Sequence, residues 1–409
     1  MDKKKIELLA PAGDFEKLKF AINYGADAVY IGDKNFSLRA NSKNFDYEEL
    51  NLAIKYAHEN NVKVYVAINI FARNKDLIEL KKNLYVFKNA DALIVSDPGI
   101  FLMVKEILPD MEIHVSTQAN VLNYKTVEFW KKLGVNRIIL ARELSCEEIK
   151  FIAEKNIDIE LEAFVHGAMC ISYSGRCLLS NFFTGRDANH GDCAQACRWK
   201  YKLYALEEEK RKNKFWPIWE DDNGSFILNS KDICMVNYLD KLFDCGIKSL
   251  KIEGRMKSIY YVAAVTKIYR EAIDDYFLDK KIYDEKKNYY LSELEKVSHR
   301  IYSSGFYLGD KKNEIYESSS YINNYDFVGI VKDFDEKNFF ALVEQRNKIK
   351  IGDEIEILGK KEIFYMKVKE MFDIDGNEIK EAPHAQQIIK IKMDFKVEKM
   401  DLMRKKIVC

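Results

Sequence analysis

Four cysteines fall within 28 residues of this 409-residue chain: Cys170, Cys177, Cys193 and Cys197, in the pattern C-x6-C-x15-C-x3-C. An even spread of the chain's 8 cysteines would put fewer than one in that stretch, so scatter among buried hydrophobes is a poor explanation. Thiolates converging on one point suit a soft metal centre. Structural zinc usually shows two tight C-x2-4-C pairs, whereas here only Cys193 and Cys197 form one. Wide, uneven spacing suits an iron–sulfur cluster better, with zinc, redox and packing roles as the alternatives. Between the thiols lie Ser172-Tyr173-Ser174-Gly175-Arg176, Gly185-Arg186-Asp187 and Asn189-His190-Gly191. Glycines allow tight turns around a centre, and the arginines can offset thiolate charge or bind an anionic ligand. Cys234, farther on, is an additional candidate for the fourth ligand.

The rest of the composition sets limits. At 47% hydrophobic and 32% charged residues, with 5 prolines and 18 glycines, the chain has globular and not low-complexity composition. Lys plus Arg equals Asp plus Glu at 65 each, so no global basic field draws it to nucleic acid; a local basic cleft is compatible with a zero sum. The apolar stretch after Met1-Asp2-Lys3-Lys4-Lys5 is too short for a signal h-region, and no apolar run approaches the ~18 residues of a membrane span. The expectation is a cytoplasmic protein, off the membrane, with reduced thiols.

The elements that must hold these residues follow one rhythm over residues 1–280: a short β-branched run, a turn, an amphipathic helix. Strands are expected at Ile6–Leu9, Ala28–Ile31, Val62–Ile70, Ala92–Val95, Glu112–Ser116, Arg137–Leu140, Ile157–Val165 and Ser249–Ile252. Eight such units in about 250 residues predict an α/β fold, a (βα)8 TIM-barrel-like domain; a doubly wound open sheet is the alternative. Barrel enzymes place their chemistry at the C-terminal strand ends. Asn69, Asp97, Ser116, Gln118, Arg142, His166, Glu253 and Arg255 stand there, and for any one of them a satisfied loop or cap is the plainer explanation. One unit is interrupted by a long Cys-bearing insertion, residues 168–234, which includes a basic run at Lys210–Lys214 read as a solvated hairpin tip. Residues 281–320 read as a helical linker. From 321 to 409 the pattern alternates in short strands, predicting a small C-terminal all-β barrel that serves as a binding or positioning module.

His166-Gly167-Ala168-Met169-Cys170, Ser172–Cys177, Gly185-Arg186-Asp187-Ala188-Asn189 and Cys193…Cys197-Arg198-Trp199 resemble the signature of the peptidase U32 family, the collagenase-like peptidases. The opening Glu7–Gly13, Gly25–Gly32, Asn229–Asp232 and Ser249–Arg255 are similar too, and the likeness spans almost the whole chain. It is strongest to the bacterial branch implicated in 5-hydroxylation of the tRNA wobble uridine. The resemblance implies a 4Fe–4S cluster on Cys170, Cys177, Cys193 and Cys197, a prephenate-dependent pathway, and a tRNA anticodon loop as substrate. A homologous partner subunit and a related substrate (ribosomal RNA, a ubiquinone precursor) are further implications.

Oxidation at C5 of a uracil needs a cofactor, since no side chain performs it alone. On the hydroxylase reading, His166, Glu253 and Arg255 are the catalytic candidates, with Arg142, Arg176, Arg186 and Lys251 for substrate binding. The competing class is a peptidase. No His-Glu-x-x-His or Gly-x-Ser-x-Gly motif supports it, and a Cys170–His166 pair would need a thiol not engaged by metal.

Overall fold

A computed structural model describes residues 6–38, 43–170, 172–173, 176–199, 220–221, 224–225, 230–309 and 321–407. Eight parallel strands form the first domain: β1 Glu7–Pro11, β2 Ala28–Gly32, β3 Lys63–Ile68, β4 Ala92–Val95, β5 Ile113–Val115, β6 Arg137–Ile139, β7 Glu160–Ala168 and β8 Ser249–Ile252. Each pairs with the next in chain order, except that β8 lies between β7 and β1 (Ser249 opposite both Glu162 and Glu7). That double pairing closes the barrel and excludes the open sheet.

The strands are buried on both faces, as parallel strands under helices must be. Outward residues such as Leu8, Val64 and Leu250 join the helices in the main core. Inward residues, among them Leu9, Tyr30, Tyr65, Ile94 and Phe164, fill the barrel. Helix starts are fixed locally. Capping boxes at Asp46/Glu49 and Ser145/Glu148 satisfy the first amides of the helices Tyr47–Glu59 and Cys146–Ala153.

Two additions frame the mouth. The strand Asp232–Cys234 runs antiparallel to the end of β7, and Tyr302–Ser303 pairs with its outer edge. Within residues 281–320, the helix Lys280–Leu294 buries Tyr283, Tyr290 and Leu294 in the main core, packed on the helix Ile259–Leu278. Lys210–Lys214 and residues 310–320 lie outside the described residues.

The C-terminal unit is an antiparallel seven-stranded half-barrel. Its strand order is Ile363–Lys367, Glu354–Leu358, Leu402–Lys406, Tyr325–Asp335, Phe340–Gln345, Ile388–Lys392, Met371–Phe372. It has its own core around Val331, Val343, Ile357 and Met403, while Ile330, Leu358 and Leu402 pack into the barrel's core. Fully buried Arg404 joins the two, at 2.5 Å from Glu293 on the barrel side and 2.7 Å from Glu356 on its own.

Candidate active site

The barrel's C-terminal end opens into a cavity of about 50 Å³ whose polar wall includes Arg142, Lys251, Glu253 and Arg255, with Tyr30 and Phe164. That space holds a few waters. A much larger cleft, about 1480 Å³, lies at the opposite end around Glu112, Lys131 and Asn156. Strand ends there serve stability in this fold, so the smaller cavity is the candidate site.

The floor of the cavity is ionic. Glu162, with no solvent exposure, accepts from Lys251 Nζ at 2.8 Å and from Arg137 Nη1 at 3.2 Å. Arg137 also bonds Glu7 and Glu160, and Tyr65 donates to Glu7 at 2.6 Å. Burial pushes the Lys251 amine below its usual range, and Glu162 opposes that push. The ammonium also stands 4.4 Å above the Tyr30 ring.

Glu253 and Arg255 hang from the last strand. Arg255 reaches across the mouth to donate to the Leu38 carbonyl and, at 3.2 Å, to Ser37 Oγ. A β-carbon at Gly32 would overlap the Arg255 guanidinium, so glycine at the end of β2 lets Arg255 lie across the mouth. Arg142 donates to the Ala168 carbonyl at 3.0 Å and lies over Phe164, tying the β6 loop to the approach to Cys170.

His166 is elsewhere. Alternation from Glu162 and Phe164 points it into the barrel, but the register slips beside it: Phe164 opposes Lys251, and His166 opposes the very next residue, Ile252. Val165 is the extra residue of a bulge, which turns His166 to the outward face. There it is enclosed by Tyr261, Tyr269 and Tyr302, with both ring nitrogens 3.5 Å from tyrosine hydroxyls, and burial pushes its pKa down to about 3. The structure does not bring it to Glu253 and Arg255 in the cavity.

The Cys-bearing insertion docks on the loop after β3. Arg73 pairs with Asp187 (3.3 Å), His190 with Asp76 (3.1 Å), and Arg176 lies over Phe71. Arg186 serves the insertion itself, at 2.6 Å from Asp192 beside Cys193. Asn189 grips Cys177 by both backbone groups, accepting from its amide and donating to its carbonyl. Gln195 N–H donates to Cys193 Sγ at 3.4 Å. Cys170 and Cys193 are exposed, Cys177 and Cys197 half-buried, and none of the described cysteines is in a disulfide. Thiols outside any disulfide, one of them with an amide donor, suit a thiolate-bound metal in chemistry. They are not assembled: among the described residues no three His, Cys, Asp or Glu side chains are gathered to hold an ion. Cys234 differs from the four. It is buried in the core beside the Tyr269 hydroxyl, and burial pushes its thiol up to about 12.

Tyr30, Glu162 and Phe164 are parts of the site that sequence reasoning missed. Their signal was the inward parity of β2 and β7, invisible in runs that are apolar on both faces.

The profile of peptidase family U32 matches residues 13–317, and that of the U32 C-terminal domain matches residues 323–404. The chain belongs to peptidase family U32. Among the relatives of this U32 chain, tRNA hydroxylation protein P1 of Bacillus subtilis is 42% identical, the match covering 98% of this chain and 95% of that protein. An uncharacterized protease of Methanocaldococcus jannaschii is 41% identical, covering 94% of each. The 23S rRNA 5-hydroxycytidine synthase of Escherichia coli is 34% identical over 76% of this chain and 46% of that protein. No helix among the described residues is long and apolar enough to cross a membrane.

Proposed function

We propose that this U32 chain is an RNA hydroxylase acting on tRNA, with C5 of the wobble uridine as its target and prephenate as cosubstrate. The observation that carries the reading is the near full-length match at 42% identity to a tRNA hydroxylation protein. The ribosomal RNA enzyme matches less of the chain at lower identity, which favours tRNA. Both names share hydroxylation of RNA.

The cavity supports this chemistry. Arg142, Lys251 and Arg255 set three cations around one opening, suited to a carboxylate cosubstrate or a phosphate. Glu253 at the lip is placed to hold or accept a proton from the base. An anticodon loop offers its base at low unstacking cost. On this reading Cys170, Cys177, Cys193 and Cys197 hold a 4Fe–4S cluster, with Cys197 preferred to the core thiol of Cys234. Such a cluster would supply the redox chemistry that side chains lack.

Peptidase activity finds less support. A thiol nucleophile needs a base within reach, and His166 is held among tyrosines behind β7.

Deleting the gene tests the reading. Wobble-position 5-hydroxyuridine derivatives are expected to vanish from digested tRNA in nucleoside mass spectrometry. Unchanged wobble nucleosides in a strain lacking every paralogue reject it.

A further inference from the structure

A third cavity, about 490 Å³, runs along the seam between barrel and half-barrel, and no role above uses it. Its volume is within the range of small-molecule sites, about 300–1,000 Å³. Five aromatic residues line it: Tyr260 and Tyr261 from the barrel side, and Tyr321, Tyr325 and Phe327 from the segment entering the half-barrel. Tyr260 and Phe327 stack on each other, with centroids 5.6 Å apart and planes 9° from parallel. That pair is domain glue. Tyr321 is different, because the residue is 43% exposed, and the Arg300 guanidinium lies 6.0 Å from its ring centroid. Lys257 holds its ammonium 4.5 Å over that ring, and its charge is opposed among the lining residues only by Asp326.

The seam and the barrel mouth share a wall. Glu253 and Arg255 line the barrel cavity, while Met256, Lys257 and Ser258, next in the chain, line the seam. Four residues of extended chain span at most about 14 Å. A few nucleotides of single strand bridge such a distance. Tyr261 fixes the shared loop, its hydroxyl donating to the Glu253 carbonyl at 2.9 Å. Exposed aromatic rings beside a cation are what single-stranded nucleic acid uses for stacking with backbone contact.

We propose that the seam binds one base of the RNA beside the target nucleotide, stacked on Tyr321 with a phosphate facing Lys257. This deepens the RNA reading above and rests on it. The seam would then act as a clamp that sets which nucleotide reaches the barrel.

The test uses the full-length protein and a fluorescently labelled anticodon stem-loop, with binding followed by anisotropy. Tyr321→Ala is expected to weaken binding about tenfold or more, the loss for one stacked base. Tyr321→Phe keeps the ring and is expected to bind as the wild type does. Lys257→Gln is expected to lower the slope of log K against log salt by about one. Tyr365→Ala, an exposed ring elsewhere on the half-barrel, is expected to change neither. If the wild type binds and Tyr321→Ala binds as tightly, the seam proposal is overturned and the hydroxylase reading stands. If Tyr321→Phe is as weak as Tyr321→Ala, the lost hydroxyl and not stacking is responsible, which also overturns it. A wild type that binds no RNA overturns both.

Discussion

Glu162→Gln probes the ionic floor of the cavity directly. Glu162 is the only carboxylate bonded to Lys251 among the described residues, and the ammonium is 3% exposed. Arg137 keeps Glu7 and Glu160 when Glu162 is neutralised. Lys251 keeps no bonded carboxylate among the described residues; burial and the nearby Arg137 and Arg255 all then push its pKa down. Leaving a buried charge unpaired costs about 3–5 kcal/mol. The variant can avoid that cost by releasing the Lys251 proton. The sign follows from linkage. The unfolded chain holds that proton up to about pH 10.4, the folded variant gives it up earlier, and rising pH therefore favours the folded state. Each pH unit in that window adds up to about 1.4 kcal/mol, so the variant's stability should rise with pH more steeply than that of the wild type, where Glu162 opposes the downward push on Lys251. Urea unfolding across that pH range reads the difference. Adding Lys251→Met should abolish the extra slope and restore stability, since an apolar replacement of similar volume removes the buried charge. Parallel stability curves for wild type and Glu162→Gln would show that the Glu162–Lys251 pair does not govern the cavity floor.

Three further outcomes are expected. Gly32→Ala should drive the Arg255 guanidinium off the mouth, at about 1–3 kcal/mol in thermal unfolding and with loss of hydroxylation in complementation. Arg404→Met should cost about 3 kcal/mol, the low end for a broken buried pair, because Lys296 still reaches Glu293 (2.7 Å) and Glu356 (2.8 Å); urea unfolding checks it, and adding Glu293→Gln should recover part of the loss. Protein purified without oxygen should absorb broadly near ~400 nm, with Cys170→Ala, Cys177→Ala, Cys193→Ala and Cys197→Ala losing the band and Cys234→Ala, Cys146→Ala and Cys245→Ala keeping it. A colourless preparation with stoichiometric zinc, or retention in Cys197→Ala with loss in Cys234→Ala, contradicts the ligand assignment.

The barrel was readable because its strands are short β-branched runs separated by capped helices, and Ala92–Val95 and Ser249–Ile252 match their observed bounds. That Glu253, Arg255, Arg142 and Lys251 line one cavity was readable for the same reason, since the ends of such strands form the mouth. Asp97, another strand-end residue, proves to be a helix cap. His166 was not readable. Its side depends on one bulge residue, Val165, and a bulge between apolar residues leaves no mark in composition. Glu162 was missed for a related reason: a carboxylate inside a barrel makes sense only once Arg137 and Lys251, from two other strands, are seen beside it. Long-range pairing of this kind has no local spacing rule.

A chain that hydroxylates tRNA through the cavity at the barrel mouth should restore the modification where it is missing. The most direct test is complementation of a bacterial strain devoid of wobble-uridine hydroxylation, followed by nucleoside mass spectrometry of the tRNA. The wild-type chain is expected to restore 5-hydroxyuridine derivatives, while Cys193→Ala and Glu253→Gln, expressed to the same level, are not. Restoration by either variant, or none by the wild type, would contradict the account.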